Sequence, residues 1–267
     1  MSELIEKNRK HYYKTFFPYL NLFKFLKLIN GGIEFWNDSK VIIYCDFIII
    51  NNEVWNRNNN FNPSSFYEYL NTYNPQQLHF GSLYYTPYYE RRLDPSKKVY
   101  AFNSKKFEID MDIMKSRSCC GDQKKICASC WKDYCIEIIK LVKSSCLKMN
   151  MKTKPLFFYS GNKSLYIYVH DKIFRNCPIE LLMNAFTEEI KTKFQEFSFD
   201  EKVTKDLTHS LRLPYSINNK TGNIVSLVDE NDIDLDKITF NTQILIEDKK
   251  KEMEFKKNLS KFDLSMK

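Results

Sequence analysis

Between Phe107 and Ile113 the chain alternates hydrophobic and acidic positions: Phe107, Ile109, Met111 and Ile113 form one row, and Glu108, Asp110 and Asp112 the other. Successive side chains of a strand point to opposite faces, so the stretch predicts a strand over 106–113 with one buried row and three carboxylates opposite. Three neighbouring negative charges repel unless a cation sits among them. Elsewhere the pattern changes period. Residues 12–30 ("YYKTFFPYLNLFKFLKLIN") read as aromatic and helical, interrupted or restarted at Pro18 and ended by Gly31 and Gly32. The apolar runs 40–50, 78–86 and 97–102 predict strands. Trp131, Cys135, Ile138, Ile139, Val142 and Cys146 recur at helical spacing and predict an amphipathic helix over 131–149. "LFFYSGNKSLYIYVHD" (156–171) reads as strand, turn, strand. Residues 178–196 read as a further helix, and the lysine-rich 247–267 as a charged helix or tail with its lysines in solvent. No internal repeat is visible.

A chain of 267 residues is long enough for a full core, as one large α/β domain or two lobes. With 43% hydrophobic and 28% charged residues it is globular in composition, not disordered. Lysine, asparagine, isoleucine, tyrosine and phenylalanine abound, as A/T-rich coding would produce, so the Asn runs carry no design signal. A net charge of +8 suits a polyanionic partner such as nucleic acid, and equally a basic background. The first residues lack the apolar core of a secretory signal, and no window reaches the roughly 18 apolar residues that span a bilayer. The expectation is an intracellular, reducing setting without membrane insertion, where the eight cysteines are thiols or metal ligands and not disulfides.

Four of those cysteines, Cys119, Cys120, Cys127 and Cys130, form a CC-x6-C-x2-C array. Zinc takes four thiolate or imidazole ligands in a tetrahedron, and two close pairs joined by a short loop supply them. With four protein ligands the site would be structural. Cys135 and Cys146 read as small buried hydrophobes. The acids suggest other chemistry. Nucleotidyl transfer commonly uses two divalent cations, Mg²⁺ or Mn²⁺, held by carboxylates at the attacking and leaving oxygens. By itself an E-x-D-x-D strand reads as readily as a polar solvent face.

The order of the motifs adds more. An apolar acidic strand precedes a CC…CxxCW array in "FEIDMD…CCGDQKKICASCW"; "FFYSGNKSLYIYVHD" and then "FDEKVTKDLTHSLRLPYSINNKTG" (199–222) follow. In this order they resemble the motifs of the catalytic small subunit of archaeo-eukaryotic DNA primases, and "YYKTFFPYLNLFKFL" is similar to that family's opening helix. The resemblance implies an α/β (α+β) primase fold, a mixed or antiparallel sheet flanked by helices. A catalytic domain over 1–246 would carry an inserted zinc module near 115–135, followed by the charged segment 247–267.

Residue by residue, the resemblance assigns Asp110 and Asp200 to metal binding and Ser160 and Lys163 to a phosphate-contacting turn. It assigns His209 and Arg212 to the phosphates of the incoming nucleotide, with Arg57 in "VWNRNN" as a looser match. The hydrophobic register pairs Glu108 with Asp110; a literal D-x-D alignment pairs Asp110 with Asp112. Two departures stand out: Tyr166 replaces the family's histidine and Asn162 its frequent arginine, both removing donors from a phosphate pocket. The implied activity is primer synthesis from nucleoside triphosphates on a single-stranded DNA template. The implied partners are a large primase subunit and a replicative polymerase, in the nucleus or at a viral replication site. Only about thirty residues separate the second and third motifs, which suits a compact viral or genome-reduced member. A polymerase that extends existing ends, and a weakened scaffold that binds nucleotide or DNA and a partner subunit, are the other readings.

Overall fold

Pro18 splits the aromatic N-terminal run, because proline has no N–H to continue a helix and its ring clashes with the preceding turn. In the computed structural model, which describes residues 2–29, 31–37, 40–45, 47–50, 53–56, 63–82, 104–110, 126–162, 164–171, 188, 192, 198–199 and 211–266, α1 spans Ser2–Thr15 and α2 Tyr19–Ile29. Leu22 N donates to Pro18 O (2.9 Å) at the restart. Then come β1 (Gly31–Asn37), β2 (Lys40–Cys45), β3 (Phe47–Ile50), β4 (Glu53–Asn56), α3 (Pro63–Tyr73) and β5 (Gln77–Ser82). The single strand expected over 40–50 is therefore two. β2 pairs with β1, while β3 folds back on β4 as a separate hairpin. Alternation within one apolar run carries no signal for such a change of partner.

The acidic run forms β6 (Ser104–Asp110); its expected continuation to 113 lies outside the described residues. α4 (Ala128–Lys148) follows, then β7 (Leu156–Tyr159), β8 (Leu165–His170), β9 (Ser198–Phe199), β10 (Leu211–Arg212) and β11 (Ser226–Leu227). The chain closes with α5 (Leu235–Ile238), α6 (Thr242–Glu247) and α7 (Lys249–Ser265). The strand expected over 97–102 lies outside the described residues. Of the helix expected over 178–196, only Glu188 and Thr192 are described; both are helical, and Thr192 Oγ1 donates to Glu188 O (2.6 Å).

Two main sheets result, with strand orders β10-β5-β1-β2 and β11-β7-β8-β6-β9. All described pairings are antiparallel. β8 lies in the middle of the second sheet and is buried at every position, as a strand covered on both faces must be. Its alternate residues enter two cores. Tyr166 and Tyr168, with Phe158, join α1, α2, the first sheet and α7. Leu165, Ile167 and Val169, with Ile109 and Phe157, pack against the apolar face of α4. Phe80 and Tyr168, with ring centroids 5.1 Å apart, tie the two sheets together.

The lysine-rich C-terminal segment belongs to this core. Asp248 caps α7 by accepting from Lys250 N (2.8 Å) and Lys251 N (3.3 Å), which satisfies N–H groups left open at a helix start. Phe255, Asn258 and Phe262 are buried on its inner side, while Lys249, Lys250 and Lys257 remain in solvent. No described helix is long and apolar enough to cross a membrane.

Candidate functional site

The pairing of β6 with β8 sets Glu108 opposite Tyr166 and Ile109 opposite Leu165. Residues directly opposite share a face. Ile109 is buried on the α4 side, so Glu108 and Tyr166 belong to the other face, toward the first sheet. Two positions further along β6, the backbone of Asp110 pairs with Ser198, and Phe199 pairs with Ile109. β9 thus brings the chain that leads directly into Asp200 onto the acidic strand.

Arg212 reaches this face from the other sheet. On β10 it sits opposite His79 of β5. Its Nη1–H donates to Tyr166 Oη (3.1 Å) and its Nε–H to Gln77 Oε1 (3.1 Å). Gln77 Oε1 also lies 3.3 Å from His79 Nε2, and Tyr168 Oη donates to Arg212 O (3.4 Å). A guanidinium is thereby clamped between the sheets, beside the strand that carries Glu108. Burial pushes the Tyr168 phenol well above its ordinary pKa, and the nearby Tyr166 and Glu108 add to it, so the phenol stays protonated at neutral pH.

The turn between β7 and β8 closes on itself. Ser160 N donates to Ser164 O (2.9 Å) and Ser164 N to Ser160 Oγ (3.0 Å). Gly161 has φ +80°, and a Cβ there would stand 3.0 Å from both Asn218 Cβ and Asn223 O. That backbone geometry and close approach favour glycine. The opposing wall is the 215–223 loop. Asn218 Nδ2 donates to Ser160 O (3.1 Å) and Thr221 Oγ1 to Gly161 O (2.6 Å). Asn218 N–H is itself held by Asn223 O (2.7 Å). The "SGN" and "SINNKTG" segments, more than fifty residues apart in sequence, are one hydrogen-bonded unit. Ser160 is buried and its oxygen is taken by the turn, so in a phosphate site it would serve through its O–H.

Cys127 and Cys130 lie on the opposite side of the second sheet. Cys127 caps α4, its Sγ accepting from Cys130 N (3.5 Å), and Cys130 is buried in the core beneath the helix. A helix N-terminus favours the thiolate form that a metal requires. Cys127 and Cys130, the described half of the array, carry sulfur donors of the kind zinc takes. Cys135 and Cys146 are buried free thiols, as expected of small core residues. Burial raises both pKa values, that of Cys146 to about 11 with a further contribution from Asp171. Among the described residues no group of three or more His, Cys, Asp or Glu could hold a metal ion.

Against known proteins, the chain is 26% identical over 164 residues to the DNA primase small subunit of Caenorhabditis elegans, covering 60% of this chain and 38% of that protein. Among solved structures, the polymerase domain of Mycobacterium tuberculosis ligase D, in complex with DNA, superposes with a TM-score of 0.55. It covers 91% of this chain and 89% of that one at 8% identity. The chain is archaeo-eukaryotic primase-like. No family model matches it. The matched stretch spans well under half the nematode subunit, and the match to the ligase domain concerns the fold.

In this primase-like chain, Glu108, Tyr166 and Arg212 come together on one face, and the Ser160 turn meets the 215–223 loop. Arg57, Asp112, Cys119, Cys120, Lys163, Asp200 and His209 lie outside the described residues, as does the side chain of Asp110. Reading the sequence missed Gln77, Asn218 and Thr221. Asn218 and Thr221 lie within the 199–222 motif but were given no role there, and Gln77 carries no local mark; each acts on a partner far away in the chain. Tyr166 reads in the sequence only as a lost histidine; in the structure it accepts a hydrogen bond from Arg212.

Proposed function

We propose that this chain is a nucleotidyltransferase of the primase kind, joining ribonucleotides on a single-stranded DNA template. The observation that carries the reading is the Arg212 guanidinium held beside the Glu108 strand, on the face away from Cys127 and Cys130. A cation on the face that carries Glu108 suits a triphosphate and its metals. Glu108, Asp110 and Asp200 would hold Mg²⁺ or Mn²⁺, with Asp112 as the alternative partner of Asp110. Bound there, the two ions would stabilise the attacking 3′-oxygen and the departing pyrophosphate. Arg212, with His209 and Lys163, would neutralise the triphosphate, and Arg57 would add a further cation. The Ser160 turn, braced by Asn218 and Thr221, would offer a short hydroxyl at the same phosphates. Cys119, Cys120, Cys127 and Cys130 would hold a structural zinc across the sheet.

A large primase subunit and a replicative polymerase, in a nucleus or at a viral replication site, are the partners this reading implies. Template-dependent incorporation of labelled ribonucleotides, with and without a primer, tests it. The fold shared with the ligase D polymerase domain also favours a primase-like polymerase that extends existing ends. Product formed only when a primer is supplied would select that second reading.

A further inference from the structure

We propose that Tyr166 and Gln77 are positioning residues that aim Arg212 at a polyphosphate while leaving its positive charge whole. The proposal rests on the nucleotide-binding reading above and assigns these two residues a role within that site. A guanidinium has five N–H donors. Tyr166 Oη and Gln77 Oε1 accept two of them, from Nη1 and Nε, each at 3.1 Å. These bonds come from two edges of the planar group and from two different sheets, so they fix its plane and its direction. Among the described residues, nothing else accepts from the guanidinium, and three donors remain.

The character of the two acceptors matters as much as their geometry. A part-buried arginine such as Arg212 is commonly held by a carboxylate, which fixes it and cancels its charge. Here both acceptors are neutral. Tyr166 is almost fully buried, and a phenol does not gain positive charge at any physiological pH. Histidine at this position would become a second cation on protonation and lose its acceptor nitrogen. Phenol and amide therefore orient Arg212 through dipoles, and its charge remains available to an anion. Gln77 Oε1 shares its lone pairs with Arg212 and His79, so the amide too is held in place.

The test is equilibrium binding of ATP and of adenosine to the full chain, by calorimetry, for the wild type and four variants. Tyr166→Phe removes one acceptor and should raise the ATP Kd about tenfold, the usual weight of a hydrogen bond to a charged group, while adenosine binding stays constant. In an Arg212→Ala background the same change should have no further effect. Gln77→Glu keeps the shape and strengthens the grip on Arg212 but cancels its charge. It should weaken ATP binding at least as much as Tyr166→Phe, with a melting temperature equal to or above wild type. A residue of purely structural importance would give the opposite result at Gln77.

The proposal is overturned if ATP fails to bind the wild type, if Gln77→Glu binds ATP as wild type does, or if Tyr166→Phe costs the same with and without Arg212. Should Tyr166→Phe not fold, the Gln77→Glu comparison decides alone. Coupled ATP binding without nucleotide incorporation would sink the catalytic reading and leave this one standing. Incorporation without the coupling would do the reverse.

Discussion

Asn258 is the point at which the C-terminal helix grips the rest of the protein. Its Oδ1 accepts from Tyr215 Oη (2.7 Å) and its Nδ2 donates to Leu227 O (2.9 Å), all among buried groups. Tyr215 is fully buried, and its backbone takes the left-handed conformation at φ +62°, which is rare for an aromatic residue. Tyr12 Oη holds the same residue by donating to Tyr215 O (2.6 Å). Asn258→Ala removes one acceptor and one donor. Tyr215 Oη loses its 2.7 Å acceptor, keeping a long 3.4 Å contact with Asn258 O and a backbone hydrogen bond at Leu227, and Leu227 O loses the amide. A buried polar group left without its partner costs about 1–3 kcal/mol, so the two together should cost about 2–4 kcal/mol. Urea unfolding followed by circular dichroism measures this directly as a shift in midpoint at constant slope. Lys257→Ala, exposed on the same helix, is the control and should change stability by no more than about 0.5 kcal/mol. If Asn258→Ala matches that control, α7 is an appended helix and the account of this core is wrong.

Gly161→Ala must place a Cβ at φ +80° against Asn218 and the Asn223 carbonyl, and should cost about 2 kcal/mol while weakening ATP binding; unfolding and calorimetry check both. Purified protein should contain about one zinc per chain, and Cys127→Ser with Cys130→Ser should lose it, as elemental analysis will show. Burial lowers the pKa of His170 from its ordinary 6.5, with Asp171 opposing, and its Nδ1 is buried without a hydrogen bond. The unfolded chain therefore takes up a proton below pH 6.5 that the folded chain resists, so stability is full above that pH and falls as pH drops below it. Unfolding free energies at pH 7.5 and 5.5 should converge in His170→Gln relative to wild type.

What could be read from the chain followed local rules. Pro18 divided the first helix as a missing N–H requires, and Ser160–Gly161 turned where a tight hairpin needs glycine. The alternation at 107–110 gave a strand with Ile109 in the core and Glu108 on the other face. What could not be read depended on partners distant in sequence. Residues 247–267 read as a charged helix or tail with its lysines in solvent, and Lys249, Lys250 and Lys257 are exposed on a helix; its buried side was not legible, because the three inward residues Phe255, Asn258 and Phe262 are outnumbered by charges. The change of sheet between Cys45 and Phe47 left no mark on the apolar run. Tyr166 looked like a deficit until its partner Arg212, 46 residues away, came into view.

The central claim is that the acidic strand supports metal-dependent nucleotide transfer, and one measurement tests it most directly. Labelled ribonucleotide incorporation on single-stranded DNA, with Mg²⁺ or Mn²⁺, is compared for the wild type, Asp110→Asn and Asp200→Asn. Losing either metal-binding charge should abolish product while the variants melt like the wild type. Glu108→Gln should be more damaging than Asp112→Asn if Glu108 is the partner of Asp110. Incorporation that persists in Asp110→Asn and Asp200→Asn would contradict the claim.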